Sequence, residues 1–156
     1  MKIVADDRIP YLRGALEKYA QVNYIAGAKI TAEDMRDAEV LITRTRTKVN
    51  RDLLEGSKVK LVVTATIGHD HIDKKYLKDK GIIWQNCPGC NSGSVATFIA
   101  SLLVTMMNDH GFDPVGKTFG LIGWGNVGKR VKKVAEAMGM NVLVNDPPRE
   151  LEEGAD

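Results

Sequence analysis

The chain has 156 residues, 44% hydrophobic and 27% charged, which is the composition of a globular protein with enough apolar material for a core. Its 22 basic residues against 20 acidic ones give a net charge of +2, a balance that offers no reason to expect a nucleic-acid partner. The start MKIVADD reaches two carboxylates after three apolar residues, so no secretory signal is expected. The longest apolar stretch, Val95–Met107, falls short of the roughly 20 residues of a membrane span, so no membrane partner is expected either. With only Cys87 and Cys90 there is no disulfide framework, and the expected location is cytoplasmic.

Lys2–Ala5 reads as a first strand. Pro10 stands where a helix would begin, and Leu12, Ala15, Leu16 and Tyr19 follow at helical spacing. Val22–Ile25 is a second strand. Thr31 with Asp34 three residues on is a capping-box pattern for a short helix. Glu39–Thr43 is a third strand, Asn50 caps a short turn through Leu54, and Leu61–Thr64 is a fourth strand. Asp70 is read as the cap of a helix through Leu77 that Gly81 ends, and Ile82–Trp84 is a fifth strand. These strands are short, nearly continuous apolar runs alternating with helical stretches, the pattern of a parallel sheet covered on both faces.

Asn91–Asn108 reads as the one long helix, capped by Asn91, Ser92 or Ser94 and ended by Gly111 and Pro114. Phe98, Leu102, Leu103, Met106 and Met107 are its expected core residues. A new unit follows: a strand Thr118–Ile122, a glycine-rich turn, a helix from Asn126 to Met138, and a strand Asn141–Asn145. The natural division between domains is therefore near residues 110–117.

The turn carries Gly123-x-Gly125-x-x-Gly128. Such spacing is weak by itself. Here it follows an apolar strand and opens an amphipathic helix with Val127, Val131, Val134 and Met138 on one side. Gly123 permits a tight turn, Gly125 lets the backbone approach a pyrophosphate, and Gly128 lets helix and strand pack closely. Free N–H groups at the helix start then face phosphates. Asp146, ending the next strand 18 residues beyond Gly128, stands where an acid would hold a ribose diol and repel a 2′-phosphate, so NAD is the expected cofactor. Arg149 close by softens that preference.

Two further turns follow strand ends, where open α/β sheets collect ligands. Arg44, Arg46 and Lys48 alternate with Thr45 and Thr47. Because a strand alternates its faces, a ligand role is expected for Arg44 and Thr45 and not for Lys48. Thr64-Ala65-Thr66-Ile67-Gly68 offers small hydroxyls and a glycine suited to an anion. His69, Asp70, His71 and Asp73 are too crowded for a known ligand motif, so no metal site is expected. Cys87-Pro-Gly-Cys90 has the C-x-x-C spacing, but a redox role is not expected. Trp84 has no assigned role, and Trp124 falls within the glycine turn.

The stretches KIVADDRIPYLRGAL, TRTRTKVNRDLLEGSKVKLVVTATIGHDHID, NCPGCNSGSVA, TFGLIGWGNVGKRV and VNDPPR together resemble the D-2-hydroxyacid dehydrogenase family. Within it, TKVN, TATxGxDHxD, PGCN and Pro147-Pro148 resemble the members that oxidise 4-phospho-D-erythronate to 3-hydroxy-2-oxo-4-phosphobutanoate on the way to pyridoxal 5′-phosphate. The resemblance implies a flavodoxin-like parallel-sheet substrate domain over residues 1–110, including the interdomain helix. The start of a Rossmann dinucleotide-binding domain follows over 111–156. It implies a phosphorylated hydroxy acid as the small-molecule partner, met by Thr45 (serine is usual there) and Thr66, with Arg44 beside them. It places the NAD contacts on Gly123, Gly125, Asn126, Val127, Gly128 and Asp146, and it implies a homodimer for the full-length family protein. The family's catalytic arginine, glutamate and histidine match no residue here; His69, His71 and His110 do not occupy the histidine's place. The expectation is that the 156-residue chain alone does not reduce NAD with phosphoerythronate, which a direct assay checks. Two other readings stand beside this one: a different D-2-hydroxyacid dehydrogenase, such as one acting on phosphoglycerate, and a non-catalytic NAD-binding protein that kept the fold.

Overall fold

The computed structural model describes residues 1–148 and forms two compact units, one of residues 1–88 and one beginning at Gly89. Arg149 lies outside the described residues.

The first unit is a five-stranded parallel sheet: β1 (Lys2–Asp6), β2 (Gln21–Ile25), β3 (Val40–Thr43), β4 (Leu61–Thr64) and β5 (Ile83–Gln85). The spatial order is β2-β1-β3-β4-β5, the flavodoxin-like arrangement, whose order reverses between β1 and β3. β1 is central and buries Ile3 to Asp6, while the edge strand β2 stays half exposed. Val4, Leu41, Val62, Met35, Val49, Leu54 and Leu77 fill one core with almost no exposure. Each such side chain contributes about 1.5–3 kcal/mol by leaving water.

Short helices serve this sheet: α1 (Ala32–Met35), α2 (Arg51–Leu54) and α3 (Lys74–Asp79). Two of their starts follow the sequence. The Thr31 N–H donates to Asp34 Oδ2 at 2.8 Å, and Asn50 Oδ1 accepts the Leu53 N–H at 3.2 Å. The third start does not. Asp73, not Asp70, caps α3, its Oδ1 accepting the Tyr76 N–H at 2.9 Å. The residues before it are drawn instead into a parallel bridge between Val49 and Ile72. Asp73→Ala is expected to cost about 1 kcal/mol, and Asp70→Ala next to nothing, when urea midpoints are compared.

The helix expected from Pro10 to Tyr19 is absent. Residues 7–20 run as successive turns, with Tyr11 at φ 60° and Gly14 at φ 85° interrupting any helical path. Its apolar spacing has no surface to bury against: Tyr11 is 98% exposed and Tyr19 68%.

The second unit holds α4 (Ser92–His110), β6 (Thr118–Ile122), α5 (Asn126–Ala137) and β7 (Asn141–Asn145), with β6 and β7 parallel in register Thr118 to Asn141. Gly111, at φ 62°, ends α4 in the left-handed conformation. Leu103, Ala135 and Met140 form a small core with Ile99, Phe119 and Val142 against it. α4 thus packs with α5 and belongs to this unit, although the sequence division near 110–117 grouped it with the first domain. Of the side chains expected in its core only Leu103 is buried. Phe98, Leu102, Met106 and Met107 are 39–61% exposed, because one face alone of α4 is covered. No helix among the described residues is long and apolar enough to cross a membrane.

Candidate functional site

In the first unit, polar side chains collect where the parallel strands end. Asp6, Thr43 and Thr64 close β1, β3 and β4, and all three are buried. Thr43 and Thr64 are register partners. Asp6 is held by the Arg8 N–H on Oδ1 at 2.9 Å and lies 3.8 Å from the Arg44 guanidinium. Arg44 also donates to the Arg8 carbonyl at 2.8 Å. The loops after β1 and β3 are therefore tied together at the point where strand order reverses. Gly27 makes room for this: a Cβ there would overlap Asp6 Oδ2 and come within 3.1 Å of Thr47 Oγ1. Thr47, in the turn after β3, is buried and donates to the Gly27 carbonyl at 2.9 Å, so it faces inward.

Thr45 is exposed and lines a cleft of about 540 Å³ with Lys48, Asn50, Gly68, Asp70, His71 and Asp73. Lys48, which alternation set aside, stands in that cleft beside Thr45. Thr66 lies just beyond β4, its hydroxyl 2.7 Å from Thr64 Oγ1 and 2.9 Å from the Gly68 carbonyl. Thr64 in turn meets His71 Nε2 at 3.2 Å. Burial pushes the His71 imidazole below its ordinary value of 6.5, with His69 adding to the shift and Asp70 opposing it. The sign of the consequence is fixed. As pH falls through 6.5 the unfolded chain binds a proton that the folded chain refuses, so stability declines toward the lowered folded value. His71→Gln should flatten the urea midpoint against pH in that window.

His69 stacks edge-on against Trp84, ring centroids 5.3 Å apart. Among the described residues no three His, Cys, Asp or Glu side chains group so as to hold a metal ion. Cys87 and Cys90 are both free thiols.

In the second unit the glycine turn is open at its helical end. Gly123 sits at φ 100°, outside the range of most L-residues. Gly125 is the N-cap of α5, and Asn126 behind it is exposed. The three glycines answer to different neighbours. A Cβ on Gly128 would run into the Gly123 carbonyl, so this glycine is required by the fold. A Cβ on Gly125 would meet nothing within 4 Å, so the bare backbone there serves no internal packing. Val127 is half-buried. Asp146 reaches back to the turn and accepts the Trp124 N–H, which sets turn and acid side by side. Lys129 and Lys132 place their ammonium groups 5.9 and 5.3 Å from the Trp124 ring centroid.

Gly89, at φ 74°, was not singled out by sequence. A Cβ there would press on the Asn126 amide at 2.9 Å, so the PGCN segment is fitted to the first residue of α5. Gly27 was missed likewise. Both glycines answer to partners remote in sequence, which no local spacing reveals.

A flavodoxin-like sheet, followed by a strand, glycine turn, helix and strand with an acid returned to the turn, defines a two-part protein of the open parallel-sheet α/β class. Residues 2–143 match the D-isomer specific 2-hydroxyacid dehydrogenase family, catalytic domain, and the chain belongs to that family. It is 54% identical over 155 residues to an erythronate-4-phosphate dehydrogenase of Bacteroides thetaiotaomicron, covering 99% of this chain and 44% of that protein. The corresponding protein of Ruthia magnifica is 43% identical, over 100% of this chain and 45% of its own. The chain thus spans a little under half the length of these relatives. Among solved structures, NAD+-bound 3-phosphoglycerate dehydrogenase of Entamoeba histolytica superposes with a TM-score of 0.75 at 32% identity, over 94% of this chain and 54% of that one. A D-lactate dehydrogenase of Aquifex aeolicus, complexed with NAD and lactic acid, gives 0.68 at 25% identity, over 92% and 50%.

Proposed function

We propose that this chain serves an NAD-dependent oxidation of 4-phospho-D-erythronate to 3-hydroxy-2-oxo-4-phosphobutanoate, a step toward pyridoxal 5′-phosphate. Residues 1–110 are the substrate domain, with α4 counted in it as the interdomain helix although it packs on α5, and residues 111–156 begin the nucleotide domain. The observation that carries the NAD part is the contrast between Gly128, whose bareness the fold needs, and Gly125, whose bareness the fold does not need. Space kept free at a helix N-terminus suits a pyrophosphate. Gly123, Gly125, Asn126, Val127 and Gly128 would hold the diphosphate, and Asp146 the adenosine ribose. NAD supplies the hydride acceptor. Residues of this chain bind and orient; none is assigned a catalytic role.

The substrate part rests on the relatives' likeness and on the carboxyl ends of the strands. Thr45 and Thr66 offer hydroxyls there, and Arg44 offers positive charge beside them, although its guanidinium is partly engaged by Asp6. The 3-phosphoglycerate dehydrogenase likeness makes that acid the competing substrate. The family's homodimer is proposed for the full-length protein as well. Calorimetric titration with 4-phospho-D-erythronate and 3-phosphoglycerate should show tighter binding of the first. Equal affinity, or preference for 3-phosphoglycerate, contradicts the assignment.

A further inference from the structure

The Thr66 hydroxyl ends a chain of hydrogen bonds with only one consistent direction. The Gly68 carbonyl can only accept, so Thr66, 2.9 Å away, spends its single proton there. Thr66 must then accept from Thr64 at 2.7 Å, which spends the proton of Thr64. Thr64 in turn must accept from His71 Nε2 at 3.2 Å. Nε2 therefore bears hydrogen. Were the imidazole in its other neutral form, with hydrogen on Nδ1 and Nε2 accepting, the chain would reverse. Thr64 would donate to His71, Thr66 to Thr64, and the Gly68 carbonyl would lose its donor.

We propose that His71 is a positioning residue, its Nε2–H acting through Thr64 to keep the Thr66 proton turned away from Thr64, ready for an oxygen of the anionic substrate. This rests on the reading above that Thr66 meets the substrate. With one Thr66 lone pair engaged by Thr64, the Thr66 proton points away from Thr64, and the proton it otherwise gives to Gly68 is available to an arriving ligand. A carboxylate or phosphate oxygen can take it. Gly68 leaves open space at this point, with nothing within 4 Å of where a Cβ would stand.

The arrangement does not need a charged histidine. Nε2 carries hydrogen in both the neutral ε form and the cation, so the chain persists as pH rises through the His71 titration. Burial favours the neutral form, and the charged or titratable groups near it are Asp70 and His69, with Lys48 and Asp73 lining the same cleft. If His71 instead acted as a cationic anchor, its contribution to anion binding would vanish over that rise.

Two measurements on the 156-residue chain test the proposal. Long-range nitrogen–proton NMR of the unmutated chain is expected to show His71 as the Nε2–H form when neutral; the Nδ1–H form overturns the proposal whatever the ligand. The second is the affinity for 4-phospho-D-erythronate across the His71 titration, in wild type, His71→Leu, His71→Gln and Thr64→Val. His71→Leu and Thr64→Val are expected to bind up to about tenfold more weakly, the range of one hydrogen bond. His71→Gln, which keeps a donor, should stay within about twofold, and wild-type affinity should survive deprotonation of His71. His71→Leu binding like wild type, His71→Gln failing as badly as His71→Leu, or a wild-type loss that tracks the imidazole pKa would each overturn it. If the wild type shows the Nε2–H form but does not bind the phosphoerythronate, the substrate assignment fails and the direction of the chain stands.

Discussion

Gly128→Ala should destabilise the second unit by about 3 kcal/mol, the upper end of what overpacking costs. The reason is backbone, not side chain. The added methyl would run into the Gly123 carbonyl, and that carbonyl belongs to a residue already fixed at φ 100°. Neither partner is the free end of a flexible group. Relief requires α5 to move off the turn, and α5 carries Ala135 and Val134 into the small core with Leu103 and Met140. The measurement is a urea titration followed by Trp124 fluorescence in a Trp84→Phe background, so that the signal comes from this unit alone. An unchanged midpoint would show that helix and turn can separate without cost.

The second large effect is expected at Gly27→Ala, about 2 kcal/mol in the first unit, again as overpacking. Here the methyl meets a carboxylate. Asp6 is 2% exposed and cannot swing into solvent, so it must give up its position beside Arg44 and the Arg8 N–H. The displaced carboxylate would then lie buried without its full set of donors, which adds to the cost. Trp84 fluorescence in a Trp124→Phe background reports this unit. The variant should also weaken binding of the phosphorylated acid, because the Arg44 loop is held through Asp6. A variant with wild-type stability and affinity would separate the Asp6 cradle from both fold and site.

What could be read without coordinates was what depends on neighbours in sequence. The five strands of the first unit and the strand–turn–helix–strand of the second follow from apolar runs and glycine spacing. The caps at Thr31 and Asn50 follow from partners three residues on, Asp34 Oδ2 accepting the Thr31 N–H and the Leu53 N–H donating to Asn50 Oδ1. The same logic applied to Asp70 chose the wrong acid, because a long-range bridge from Val49 to Ile72 claims the segment and leaves Asp73 to start the helix. Residues 10–19 have helical spacing but no surface to bury it against, so spacing alone misled. Likewise Phe98, Leu102, Met106 and Met107 read as core although α4 covers only one face. At the site, the glycine turn and its acid were legible because their spacing is local. Gly27, Gly89 and the Thr64–His71 link were not, since each depends on a contact that only folding creates.

The proposed role of the glycine turn is to seat NAD. Calorimetric titration of the chain with NAD and NADP, in wild type and Gly125→Ala, tests this directly. The wild type should bind NAD at least about tenfold more tightly than NADP, because the Asp146 carboxylate opposes a 2′-phosphate. Gly125→Ala should keep the wild-type urea midpoint, since its methyl meets no protein atom within 4 Å, and yet lose NAD binding. Gly125→Ala binding NAD as well as the wild type, or a wild type that takes NADP as readily as NAD, would contradict the account.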